Sequence, residues 1–394
     1  MRLGSLTPPS ARTLLVLVAV AAAGVAGVAA SAAFGLGPRR PDAPVGRPWS
    51  ELASPPGVPS GLSVHRDAGG DEDRGDEATG GGQTELYKQR GVALGLFAED
   101  VSFSYAPLLR EIAALGATHV SLVVPVYQTN GRTSDLALHT RFSPTLGLVA
   151  DTVRAARRER LEVTIFPIVR LSDPAPGEWR GTLAPRSPRE WFRRYGELLG
   201  DLAAVAAQTG ATRLVVGSEL STLDGQVEAW RSLLERVRAI FPGRLVYSAN
   251  WDHFRGVPLF DLVDEDGVVA YFPLRDSTRG APDAQALTAA WRALQTDILA
   301  WHRGNPHPLV LTELGYRSRV GATSQPWDES PGGVVDLEEQ RRAFAAFHTA
   351  WTGTAELDGV YVWNWYGFGG TTSQGYTPRG KPAAEEVRRL LHDL

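Results

Sequence analysis

From Gly91 onward, apolar runs of strand length alternate with amphipathic stretches of helix length, and nothing else in this 394-residue chain constrains its fold as tightly. The strand-length runs are Val92–Phe97, His119–Tyr127, Glu162–Val169, Arg213–Gly217, Leu245–Ala249, Val268–Phe272, Leu309–Thr312 and Gly359–Trp363. Helical periodicity occupies Tyr105–Leu115, Pro144–Arg160, Pro188–Gln208, Gln226–Phe241, Ala284–His302, Leu337–Trp351 and Pro382–Leu391. Pro188 and Pro382 fall in first turns, and Gly116 and Gly210 lie just past helix ends. Phe254–Asp264 is too short for a full helix and has room for one turn or two. Strands separated by helices pair in parallel and are buried on both faces. Eight of them predict an α/β fold closed into a single (β/α)8 TIM barrel. The rival, an open doubly wound sheet, needs a G-x-G-x-x-G turn after its first strand, whereas Gly91 and Gly95 lie within the strand run.

Three segments follow. Residues 1–37 read as a targeting segment: Arg2 and Arg12 precede an uncharged run from Thr13 to Pro38 with an apolar core, Leu14 to Val20. The run is long enough to span a bilayer at about 20 residues, and it also holds Ala30-Ser31-Ala32, a cleavage-type pattern. Arg39, Arg40 and Arg47 on the far side leave the orientation open. A cleaved signal peptide and an uncleaved signal anchor both fit, and length favours the anchor. Residues 38–85 form a disordered linker in which Pro, Gly and Ser surround the acidic cluster Asp67, Asp71, Glu72, Asp73, Asp76 and Glu77. Residues 86–394 form the barrel. Export is expected, with the protein anchored at the cell envelope or released as a secreted or periplasmic form, and with membrane contact through the first segment if it is not cleaved.

Composition removes several functions. A formal net charge of -4 gives no basic surface for nucleic acid. With no cysteine, neither disulfides nor thiolate metal sites are possible. The eight histidines form no H-x-H or H-E-x-x-H pattern, and Asp71-Glu72-Asp73 lacks the glycine and terminal Glu of an EF-hand. No metal and no cofactor are expected, and a monomer is.

Chemistry enters at the strand ends. In Leu309-Val310-Leu311-Thr312-Glu313-Leu314-Gly315-Tyr316 an apolar strand ends in a carboxylate, and Leu214-Val215-Val216-Gly217-Ser218-Glu219-Leu220 repeats the pattern. An unpaired carboxylate against apolar walls costs several kcal/mol or takes up a proton, so core packing does not account for either residue. In such a barrel, catalytic groups come from the carboxyl ends of the strands. Those ends deliver Arg170, Ser218, Glu219, Asn250, Trp251, Asp252, Tyr271, Glu313, Tyr316, Trp363 and Trp365, with Trp179 and Trp327 on nearby loops. Carboxylates, amides and aromatics suit glycoside hydrolysis, in which one carboxyl protonates the departing oxygen and a second attacks or stabilises the reacting centre. Tyr271 is a candidate hydrogen-bond donor to Glu313. Ser218, Asn250, Trp251, Asp252, Tyr316, Arg170 and Trp179 are candidate sugar contacts. Trp363 and Trp365 alternate onto one face, one as sugar platform and the other as core. The bland alternatives are a structural ion pair of Glu313 with Arg170 and a helix-start role for Glu219. Asp328 and Glu329 lie in the long loop Arg317–Val335 without a spacing that demands a metal.

Glutamates closing strands four and seven resemble clan A of the retaining glycoside hydrolases. Six stretches in order resemble glycoside hydrolase family 113: Trp179-Arg180-Gly181, Val216-Gly217-Ser218-Glu219-Leu220, Ser248-Ala249-Asn250-Trp251-Asp252, Thr312-Glu313-Leu314-Gly315-Tyr316-Arg317-Ser318, Val335-Asp336-Leu337-Glu338-Glu339-Gln340, and Trp363-Asn364-Trp365 followed by Gly380-Lys381-Pro382-Ala383. The match covers roughly Gln89 to Leu394. The resemblance implies Glu219 as acid/base, Glu313 as nucleophile and β-1,4-mannan cleaved with retention. One position departs: clan A enzymes usually carry Asn directly before the acid/base, where this chain has Ser218. Two other classes stay open at this point, a non-catalytic carbohydrate-binding barrel and a structural envelope-anchored protein.

Overall fold

The structure is a computed structural model that describes residues 88–100, 102–276, 280–330 and 332–394. The expected targeting segment and linker lie outside those residues. Among the described residues no helix is long and apolar enough to cross a membrane.

Eight parallel strands close into one barrel in sequence order. They are β1 (Gln89–Gly95), β2 (His119–Gln128), β3 (Glu162–Leu171), β4 (Arg213–Ser218), β5 (Arg244–Ala249), β6 (Glu265–Val269), β7 (Leu309–Leu314) and β8 (Leu357–Val362). Around them run α1 (Ala106–Ala114), α2 (Leu146–Arg158), α3 (Pro188–Thr209), α4 (Val227–Ile240), α5 (Ala284–His302), α6 (Leu337–Trp351) and α7 (Ala383–Asp393). Between β5 and β6 stand two 3-10 turns, Phe254–Gly256 and Pro258–Leu262, in the segment expected to be too short for a helix. Local chemistry marks the helix ends. Ser187 caps α3 through the Glu190 amide with Pro188 in the first turn, and Gly210 ends it in the left-handed region at φ 79°. Asp336 caps α6 by accepting from the Glu339 amide at 2.8 Å.

The side chains sort into two layers. One apolar layer lies between strands and helices and contains Trp191, Trp230, Trp291 and Trp351, all fully buried on helices. The other fills the barrel interior with Ala93, Val123, Phe166, Ile168, Val215, Val246 and Val269, and is topped by Tyr271 and Trp363. Beneath it, at the amino ends of the strands, sits a polar plug. The buried carboxylate of Glu265 accepts from Gln89 Nε2 at 3.0 Å and from Arg213 Nε at 3.0 Å, and pairs with Arg244 at 2.7 Å. A cavity of about 10 Å³ remains among these groups, at the opposite end of the barrel from the strand ends that carry Glu219 and Glu313.

The plug explains a boundary difference. β6 spans Glu265–Val269 rather than Val268–Phe272, because the apolar pattern excludes two acidic residues that are buried in full, Glu265 in the plug and Asp266 against Asn305 and His307. β1 and β8 likewise start earlier than their apolar runs, at Gln89 and Leu357. The strands bearing the two glutamates are irregular. Register shifts occur between Val215 and Gly217 on β4, and between Leu311 and Leu314 on β7. Such bulges re-aim side chains next to a site.

Candidate active site

Glu219 follows β4 directly, at φ 54° in the left-handed region that residues with a Cβ seldom occupy. Its amide donates to the Ser248 carbonyl at 2.8 Å, which holds that conformation against β5. Its carboxyl is buried, and one oxygen, Oε2, takes both hydrogen bonds from Arg180: Nε at 2.7 Å, and Nη2. Arg180 opens the short turn Arg180–Thr182 in the β3–α3 connection. Its guanidinium also lies 5.8 Å from the Trp179 ring centroid. That ring lies across Gly181, where a Cβ would come within 2.3 Å of it, so glycine is required there.

Glu313 lies within β7 and is 1% exposed. Oε2 accepts a 2.8 Å hydrogen bond from the Tyr271 hydroxyl, while Oε1 is buried with no partner. Burial pushes the carboxyl up to about 8, reinforced by the negative charge of Glu219; Arg180 and the Tyr271 hydrogen bond oppose the rise, and Glu329 adds to it. The Tyr271 phenol is driven well above its ordinary value by burial and by Glu313, so it remains a donor. Opposing influences act on Arg180: burial disfavours its charge, whereas Glu219 and Glu313 favour it and prevail. Two carboxylates, one guanidinium and one phenol thus form a single electrostatic unit.

The remaining candidates divide. Ser218 is buried beside Glu219, its Oγ without a partner. Trp363 belongs to the barrel-interior layer with Tyr271. Trp251 stacks on Trp327, with centroids 5.1 Å apart and planes at 20°. Asn250 and Asp252 satisfy each other, Nδ2 donating to Oδ1 at 2.8 Å, and Asn250 Oδ1 also accepts from the Trp251 amide. Half-buried Arg170 holds its guanidinium 5.3 Å from the Phe97 ring centroid, and the cation bound to Glu219 is Arg180. Half-buried Trp179 stands beside Arg180.

Two expectations are corrected. Tyr316 is fully buried in the layer between strands and helices, where its hydroxyl accepts from Trp291 Nε1 on α5 at 3.0 Å and its ring meets Phe344 on α6 at 5.5 Å. It faces away from the mouth. Trp365 also belongs to that outer layer, and its Nε1 donates to Glu111 on α1 at 2.8 Å. The period-two alternation that put Trp363 and Trp365 on one face does not apply, because β8 ends at Val362, before both of them. Arg180 is the site residue that strand-end reasoning missed. Its signal in the sequence is the stretch Trp179-Arg180-Gly181, which carries part of the family resemblance and falls in a loop on the same face of the barrel.

The family model for Glycoside Hydrolase Family 113 matches residues 99–375. No curated protein matches the chain in sequence. Among solved structures, a family 113 β-mannanase from Alicyclobacillus acidocaldarius, in complex with ManMIm, is 24% identical over 78% of this chain and 98% of its own, with a TM-score of 0.69. A second family 113 β-1,4-mannanase is 19% identical over 78% of this chain and 100% of its own, also at 0.69. A β-glucuronidase from Faecalibacterium prausnitzii is 12% identical, over 78% of this chain and 49% of its own, at 0.55. At these identities the structures speak to the fold, and the family model speaks to the lineage. The chain belongs to Glycoside Hydrolase Family 113 and is a glycosidase.

Proposed function

We propose that this glycosidase cleaves β-1,4-mannan or a related β-linked glycan with retention, with Glu313 as nucleophile and Glu219 as acid/base. The reading is carried by one observation: two buried carboxyls close β4 and β7, and Glu313 Oε1 is buried without a partner while Tyr271 holds Oε2. In the first step Oε1 attacks the anomeric carbon, the bond from that carbon to the leaving oxygen breaks, and Glu219 gives its proton to the departing oxygen. In the second, Glu219 takes a proton from water, whose oxygen displaces Glu313 and restores the free enzyme.

Mannan as substrate is supported by the names of the solved family 113 relatives, both β-mannanases. Ser218 Oγ, buried and unpartnered next to Glu219, is available to a sugar hydroxyl. Trp363 supplies the platform beneath the sugar at the reacting centre. Trp251, Trp327, Asn250, Asp252, Arg170 and Trp179 form the rim along which the chain lies. Residues 1–37 export and anchor the protein, residues 38–85 act as a spacer, and residues 86–394 form the catalytic domain.

The test is hydrolysis of manno-, gluco- and xylo-oligosaccharides by the full chain and by Glu219→Ala and Glu313→Ala. Activity on the manno series is expected, with Glu219→Ala losing about 10²–10⁴-fold and Glu313→Ala losing turnover entirely. Binding of an oligosaccharide without cleavage replaces this reading with the binding barrel. Sedimentation of the full chain with the membrane fraction tests the anchor, and a wholly soluble mature form lacking residues 1–37 removes it.

A further inference from the structure

The stacked pair Trp251 and Trp327 lies on one side of the mouth. Trp251 follows β5, and in a closed ring of eight strands β5 stands opposite β1. On that opposite side a second group of rings gathers, on the loops after β1 and β8. Phe97 folds its ring back over Gly95 at the end of β1, and it packs, as Trp251 does, against the interior layer topped by Tyr271 and Trp363. The Arg170 guanidinium braces it from β3, 5.3 Å from its centroid. Tyr366 meets Phe97 edge-on, with centroids 5.5 Å apart and planes at 79°. Phe103 meets Tyr366 in turn at 6.4 Å, and two residues beyond Tyr366 the ring of Phe368 is fully exposed.

The backbone that carries Phe368 is held on both sides of the ring. The Gly370 amide donates to the Arg379 carbonyl at 2.8 Å, and Arg379 Nη1 donates to the Gly367 carbonyl. Arg379 is itself fixed to α1, where its Nε and Nη2 each donate to the Glu111 carboxylate at 2.7 Å. An apolar ring is therefore presented to solvent from a fastened loop. Single exposed hydrophobic residues need no explanation, but here they gather. Of the five large ones among the described residues, Phe103, Val320, Val334 and Phe368 all lie on loops at the carboxyl ends of strands, and Ile240 lies elsewhere.

Resting on the catalytic reading above, we propose that Phe97, Tyr366 and Phe368 form a second sugar-binding surface, which carries the β-linked glycan on the β1 side of the reacting centre, opposite the part borne by Trp251 and Trp327. A glycan suits this face. The faces of pyranose rings carry C–H groups that pack on aromatic rings, while their hydroxyls stay at the edges in water. The surface is also continuous with the site, because Phe97 and Trp363 share one layer. A chain seated at Glu219 and Glu313 that continues towards β1 passes over these rings. Phe97 and Tyr366 are its inner floor, and Phe368 is the outer ring, met only by a chain long enough to reach it. The surface therefore selects for length and sets which bond of the chain lies over the two carboxyls.

The experiment uses the full chain and the β-1,4-linked manno-, gluco- and xylo-hexasaccharides, each with its trisaccharide. Binding is measured by calorimetry in Glu313→Ala, with and without Phe368→Ala, so that affinity is read without turnover. Loss of the outer ring is expected to weaken the hexasaccharide that binds by about two- to ten-fold. The trisaccharide stays level, the thermal midpoint does not move, and Phe368→Tyr keeps the parent affinity. In the active chain, Phe368→Ala shifts the main cut in an end-labelled hexasaccharide towards one end, and Trp327→Ala shifts it towards the other. Equal hexasaccharide affinity with and without Phe368 overturns the proposal, as does failure of all three hexasaccharides to bind. Self-association that Phe368→Ala abolishes would give the ring to a second copy of the chain and overturn it too. Binding without cleavage by the unsubstituted chain would instead remove the catalytic reading and leave the surface standing, so the two failures are told apart.

Discussion

The Tyr271 hydroxyl stands 2.8 Å from Glu313 Oε2 and donates to it, which leaves Oε1 as the only oxygen of that carboxyl free for chemistry. The bond does two things at once. It fixes the carboxyl plane, and it opposes the rise in proton affinity that burial imposes. Removing the hydroxyl in Tyr271→Phe leaves the ring in its layer but takes a hydrogen bond from an anion, a loss of about 1.5–3 kcal/mol. A fall in kcat/KM of about ten- to a hundred-fold is expected on that basis, together with a shift of the acid limb to higher pH. An unchanged limb would show that Tyr271 serves packing alone.

Glu313 also ties stability to pH. Its folded-state value near 8 stands above the ordinary carboxyl value of 4.5. Between those values the folded protein binds more protons than the unfolded chain, so stability falls as pH rises. The penalty is absent below about pH 4.5 and complete above about pH 8. Glu313→Gln removes it. The variant should match the parent in thermal midpoint near pH 4.5 and exceed it increasingly up to pH 8, as scanning calorimetry across that range would reveal. A constant offset at every pH would mean that Glu313 ionises in the fold as freely as in the unfolded chain.

The opposite end of the barrel predicts the opposite pattern. Glu265 is fully buried and answers Arg213, Arg244 and Gln89 together. Glu265→Ala leaves two guanidinium groups without their counter-ion, and breaking a buried pair in this way costs about 3–5 kcal/mol. The denaturant midpoint should drop accordingly, while kcat of the folded fraction holds, because the plug lies beneath the apolar layer that separates it from the mouth. A loss of kcat at unchanged stability would contradict that separation.

These contrasts also explain which parts of the molecule the sequence discloses. The glutamates of β4 and β7 were legible because an apolar run that stops in a carboxylate is a poor core strand, and Tyr271 because it lies near the carboxyl end of the apolar run Val268–Phe272. The start of β6 was not, since Glu265 and Asp266 read as polar loop until their distant partners are known, Arg213 and Arg244 for the first and Asn305 and His307 for the second. Tyr316 was misplaced, and Trp363 and Trp365 were put on one face, because strand geometry holds only while the strand continues, and β7 and β8 end at Leu314 and Val362. Arg180 acts on Glu219 across 39 positions of sequence, from a loop whose path no periodicity dictates.

The same kind of long-range contact governs the rim. Trp327 stacks on Trp251 at 5.1 Å, joining the loop after β7 to the turn after β5. That loop is held from several sides: Arg319 pairs with Asp328, Arg317 Nη1 donates to the Ser330 carbonyl at 2.6 Å, and the Tyr376 hydroxyl donates to the Pro326 carbonyl at 2.6 Å. Trp327→Ala therefore removes a ring without freeing the backbone that carries it. An aromatic contact of this kind is worth about 0.5–1.5 kcal/mol, or roughly a two- to ten-fold change in binding. If the stacked pair bears sugars away from the reacting centre, KM should rise by that factor for long manno-oligosaccharides and stay level for the shortest one cleaved, with kcat preserved on both. Equal rises at every length would assign the pair to the reacting centre itself, and no rise at any length would leave it as packing between two loops.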